Sequence, residues 1–93
     1  MTSDEYFDAV KALIKQYDVK RAVLFGSRAK GTATQHSDFD IAVSGVKDID
    51  GLRDAIYDIP SLFSTDLVDL DRPLSQNLRE DIEQYGIQIL KTL

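Results

Sequence analysis

Apolar residues recur along this chain in two rhythms, one helical and one strand-like, and the two alternate. Phe7, Val10, Ile14 and Tyr17 return at helical spacing with lysines between them. Thr2, followed three residues later by Glu5, has the form of a capping box, so the spacing predicts a first helix from about Ser3 to Tyr17. Arg21 to Phe25 is a short apolar strand, and Gly26 to Gly31 holds a turn and a short helix ahead of the polar loop Thr32 to Ser37. Asp38 to Ser44 reads as a second strand. Gly45 and Gly51 bracket a connection into a helix whose apolar positions, Ile49, Leu52, Ile56 and Ile59, stop at Pro60. Thr65 to Leu70 reads as a third strand in which Asp66 and Asp69 point to opposite faces. Ser75 then caps a last helix carrying Leu78, Ile82 and Tyr85, Gly86 ends it, and Ile87 to Leu90 adds a short strand.

Strands alternating with helices predict an α/β (α+β) fold, a small mixed β-sheet of three to four strands flanked by helices. With 93 residues and no repeat or linker, the chain is expected to form a single domain over residues 1–93. Sixteen acidic against eleven basic residues give a net charge of -5, which argues against direct nucleic acid binding as the main task. Cysteine is absent, so disulfides, thiolate nucleophiles and cysteine zinc sites are excluded. Met1 to Glu5 lacks the basic start and apolar stretch of a signal peptide, and no run approaches membrane-spanning length. These features together predict a cytoplasmic protein that does not engage a membrane.

Two short motifs carry chemistry. Gly26-Ser27 ends the apolar run Ala22 to Phe25, where a strand gives way to a turn that can offer backbone N–H groups to a phosphate. Alone, the pair is an ordinary corner; Arg28 and Lys30 add cations within reach of phosphate oxygens, or are simply solvated on a short helix. Asp38 and Asp40 are two residues apart, so on a strand they share a face about 7 Å from each other, where like charges repel unless water or a cation screens them. Such a pair can hold Mg²⁺ against a triphosphate. The competing reading is an acidic strand edge that discourages aggregation. A third carboxylate is available on the next strand. Asp66 is preferred because it enters its strand as Asp38 enters the second, and Asp69 is the fallback should a bulge exchange their roles. His36 is read as a solvated loop histidine. The aromatic residues are read as core, with Tyr6, Tyr57 or Tyr85 as candidates for a partner surface.

Taken together, Gly26-Ser27-Arg28-Ala29-Lys30-Gly31, Ser37-Asp38-Phe39-Asp40-Ile41-Ala42-Val43 and Asp66-Leu67-Val68 resemble the pattern of the nucleotidyltransferase superfamily related to DNA polymerase beta. More narrowly they resemble its minimal nucleotidyltransferase branch, over nearly the whole chain. The resemblance implies nucleotide phosphate binding at Gly26 and Ser27, two Mg²⁺ ions held by Asp38, Asp40 and Asp66, and ATP as substrate. It also implies a separately encoded HEPN-class toxin as partner in a hetero-oligomer, neutralised by transfer of AMP to one of its tyrosines. Lys30 departs from the arginine usual in this branch, which keeps the charge but loses bidentate phosphate binding. The chain's shortness leads to the expectation that the acceptor comes largely from another molecule. Neutralisation by occlusion without catalysis, and transfer to a small molecule such as an aminoglycoside or to an RNA 3′ end, are the alternative expectations.

Overall fold

The capping box predicted at the start forms. In the computed structural model, which describes residues 1–91, the Thr2 hydroxyl accepts from the Glu5 amide at 3.1 Å and the Glu5 carboxylate accepts from the Thr2 amide at 2.8 Å. Helix α1 (Ser3–Gln16) follows, one residue shorter than expected because Tyr17 serves as its C-cap. Its buried stripe is Tyr6, Val10 and Ile14, with Phe7 and Tyr17 on the flanks. Tyr6 is therefore core and not a partner surface: it is 1% exposed, its ring lies 5.3 Å from that of Phe39, and its hydroxyl meets that of Thr65 at 2.8 Å. Burial pushes the Tyr6 phenol's pKa up; the Thr65 hydrogen bond pulls the other way and the Asp38 charge adds to the rise.

After α1 come β1 (Arg21–Phe25), α2 (Gly26–Lys30), β2 (Phe39–Ser44), α3 (Ile49–Tyr57), β3 (Thr65–Asp69), α4 (Gln76–Tyr85) and β4 (Ile87–Lys91). Boundaries move by a residue or two from the sequence reading. Asp38 and Leu70 lie just outside β2 and β3, Ile59 lies beyond α3, and Gly51 sits inside the first turn of α3, where its amide donates to the capping Asp48.

The sheet is mixed, in the order β3-β2-β1-β4. β1 pairs antiparallel with β2 and β4, while β2 and β3 pair in parallel, so α3 is the crossover between them. One face, with Ala22, Leu24, Ile41, Val43 and Leu67, packs under α1 and α3; the other, with Val23, Phe25 and Ala42, packs under Ile82 of α4. Fully buried side chains such as Ile41 and Leu52 each contribute about 1.5–3 kcal/mol by leaving water. β3 is an open edge, and Arg53 of α3 covers part of it by donating to the Leu67 carbonyl at 3.3 Å. No helix among the described residues is long and apolar enough to cross a membrane.

Candidate active site

The parallel register sets Asp40 opposite Asp66. Because Phe39, Ile41 and Leu67 enter the core on one face, alternation sends Asp40 and Asp66 to the other, side by side at the same end of their strands. Asp38 stands one residue ahead of β2, and the Ser64 hydroxyl, one residue ahead of β3, donates to its Oδ1. Asp69 is far from this group in both respects. It lies opposite Val43 on the other face, and its carboxylate accepts from the Asp71 amide at 2.9 Å.

No cation among the described residues pairs with Asp38, Asp40 or Asp66. Burial, and after it the charges of Asp66, Asp38 and Asp81, raise the Asp40 carboxyl above the ordinary carboxylate range. The donor set is hard oxygen with uncompensated negative charge, which suits Mg²⁺ in kind. Among the described residues, however, no three acidic or histidine side chains converge into a ready cation site, and the Asp38 Oδ1 is engaged by Ser64.

Gly26 explains why the turn and the carboxylates belong to one locus. Phe25 pairs with Asp40 across β1 and β2, so the turn leaves the sheet beside that carboxylate. The backbone at Gly26 has φ +71, a left-handed conformation that favours glycine, and a Cβ there would overlap Asp40 Oδ2. The carboxylate therefore lies directly against a main chain that has no side chain to hold it off. Ser27 follows in α2, whose N-terminus receives no side-chain cap from Phe25.

Both cations that the sequence offers to phosphate already have protein partners. Arg28 donates from Nε and Nη2 to the Ser37 carbonyl at 3.1 and 2.8 Å and stacks 3.9 Å from the centre of the Phe39 ring. It thus anchors the loop leading into Asp38. Lys30 pairs with Asp81 of α4 at 2.6 Å and lies 4.9 Å from the Tyr85 ring centre; its hydrogen bond to Asp81 raises its pKa. Ser64 and Asp81 were missed by sequence reasoning, since neither sits in a motif and both arrive through long-range packing. His36 lies in the loop before β2 and its side chain joins no carboxylate cluster among the described residues.

A small mixed sheet with a glycine turn pressed on one of two register-paired aspartates defines the class of nucleotidyltransferase-fold domains. The chain belongs to the polymerase beta nucleotidyltransferase family, whose model matches residues 8–92. Among solved structures it is similar to a toxin-antitoxin with AMP-PNP, at 27% identity and TM-score 0.72, over 91% of this chain and 73% of the other. It is also similar to a mutant of the toxin-antitoxin MntA-HpeT, at 27% identity and TM-score 0.67, over 99% of this chain and 74% of that one. A second MntA-HpeT mutant, at 23% identity and TM-score 0.69, shares the fold. A comparison with curated proteins gives no match.

Proposed function

We propose that this chain is an antitoxin that transfers AMP from ATP to a tyrosine hydroxyl of a HEPN-class toxin and so neutralises it. The observation that carries this reading is the union of Gly26, Asp40 and Asp66 at one end of the sheet. Its likeness to a toxin-antitoxin with AMP-PNP supports both the nucleotide and the partner.

Asp38, Asp40 and Asp66 would hold Mg²⁺, which when bound supplies Lewis acidity at the α-phosphorus and neutralises charge on the triphosphate. The uncapped amides opening α2 at Ser27 orient phosphate oxygens, and Gly26 lets that backbone approach Asp40. Lys30 exchanges its contact with Asp81 for a phosphate oxygen, while Arg28 acts through the Ser37 carbonyl to keep Asp38 in place. Asp66, exposed on the edge strand, accepts the proton of the incoming hydroxyl. The tyrosyl oxygen then bonds to the α-phosphorus, the bond to the bridging oxygen breaks, and pyrophosphate leaves.

A second reading, inhibition by occlusion alone, is favoured by the lack of a ready cation site among the described residues. One experiment separates the two. The toxin that copurifies with this chain is incubated with Mg²⁺ and each nucleoside triphosphate and weighed intact, with the Asp38→Asn/Asp40→Asn variant alongside. Transfer predicts one or more AMP masses with ATP and none with the variant. Full inhibition by the variant without added mass establishes occlusion.

A further inference from the structure

Two large side chains stand out from the surface at the end of α3 and in the loop to β3. Tyr57, at the end of α3, is 87% exposed, and Leu62, in the loop to β3, is wholly exposed. Singly such residues are ordinary, but these two line adjoining hollows that share Ser61 and Phe63 as walls. The hollow on the Tyr57 side has a volume of about 480 Å³ and that on the Leu62 side about 570 Å³. Each is large enough to take a side chain from another molecule. Ser64, which donates to Asp38, also lines the first hollow, so its rim reaches the hydrogen-bond partner of Asp38.

Acidic charge is in excess along the α3 side of this surface. Asp50, Asp54 and Asp58 are exposed and recur every fourth residue, which runs them along one side of α3 beside Tyr57. Arg53, the cation lining the hollow, is occupied by Asp50 at 2.9 Å and by the Leu67 carbonyl. A second copy of a chain with net charge -5 would bring like charge against like here.

We propose that the face formed by α3 and residues 58–64 docks a lysine- or arginine-flanked segment of a partner protein, with one apolar side chain of that segment seated beside Tyr57 and Leu62. The proposal rests on the reading that the acceptor hydroxyl comes from another chain, and it gives the direction of approach: over Ser64 toward Asp38. Complementary charge would speed the encounter, and the apolar contact would slow release.

The test uses two labelled peptides of equal length with the same central Leu and Tyr, one flanked by Lys and Arg and the other by Glu and Asp. Binding to the full chain is followed by fluorescence anisotropy and by amide chemical-shift mapping, with AMP-PNP affinity measured in parallel. The basic peptide is expected to bind at least about tenfold more tightly, to weaken as salt rises, and to shift amides at Tyr57, Leu62 and Ser64. Tyr57→Ser/Leu62→Ser should reduce that binding about tenfold or more without changing AMP-PNP affinity. Ile87→Ser, an exposed control on the opposite sheet edge, should change neither. Equal binding of the two peptides, no binding of either, shifts confined to other surfaces, insensitivity to the double substitution, or self-association of the chain through this face would overturn the proposal. Loss of AMP-PNP binding by the unaltered chain would instead count against the nucleotide site, leaving the docking result to stand by itself.

Discussion

Gly26→Ala tests whether the turn is built around the Asp40 carboxylate. Two costs add. A side chain at φ +71 pays for the left-handed conformation, about 1–2 kcal/mol. The new Cβ also overlaps Asp40 Oδ2 and lies 3.3 Å from Asp40 Cβ, so the carboxylate must turn off its preferred rotamer for a further 0.5–1.5 kcal/mol or so. The sum is about 1.5–3.5 kcal/mol, which in urea unfolding lowers the midpoint by about 1–2 M at an unchanged slope. The decisive measurement is the same substitution in an Asp40→Ala background. There the overlap with the carboxylate is gone and only the backbone cost remains, so the two substitutions should couple by about 0.5–1.5 kcal/mol. A Gly26→Ala cost that is the same in both backgrounds would show that the turn and the carboxylate are energetically independent, and the argument for a single locus would fail.

Three other outcomes follow from the site's charge and contacts. The raised Asp40 carboxyl means that the folded state binds its proton more readily than the unfolded state, so its contribution to stability falls as pH rises through the folded value; Asp40→Asn should remove that slope in pH-dependent urea melts and stabilise the protein near neutrality, and an unchanged slope refutes it. Arg28→Lys cannot reproduce the paired contact with the Ser37 carbonyl or the stacking on Phe39, and should cost about 1–2 kcal/mol with faster amide exchange at residues 34–39; exchange unchanged in that loop would remove Arg28 as its anchor. Lys30→Ala should weaken AMP-PNP binding in calorimetry about tenfold and Asp81→Asn should strengthen it, since Asp81 competes with phosphate for the same cation; effects of equal sign would make the pair purely structural.

Much of the architecture was legible because it depends on local rhythm. The run Ala22 to Phe25 and the alternation Phe39, Asp40, Ile41 fix which side chains enter the core, and with them which face carries the carboxylates. Asp66 was preferred to Asp69 because it enters its strand as Asp38 enters the second; in the fold Asp66 lies opposite Asp40, and Asp69 lies on the other face. What was not legible depends on elements far apart in sequence. Nothing near Lys30 announces that α4 will bring Asp81 to it, and nothing near Asp38 announces Ser64, 26 residues later. Tyr6 stayed open between core and partner surface because a tyrosine on an amphipathic helix fits either; its burial, with the hydroxyl bonded to that of Thr65 on a distant strand, decides for the core.

The two faces of the sheet are unequally covered. Among the described residues, the layer beneath α1 and α3 joins twelve buried side chains, from Tyr6 to Leu67, whereas the layer beneath α4 joins four, Val23, Phe25, Ala42 and Ile82. Free energy of local opening scales with such burial, so α4, which buries Ile82, detaches at lower cost than α1, which buries Tyr6, Val10 and Ile14. Its amides should exchange with solvent ahead of those of α1. Each such opening also frees Lys30 from Asp81 and takes a negative charge away from Asp40, so the breathing of one thinly held helix sets how often the carboxylate end of the sheet changes its electrostatic state.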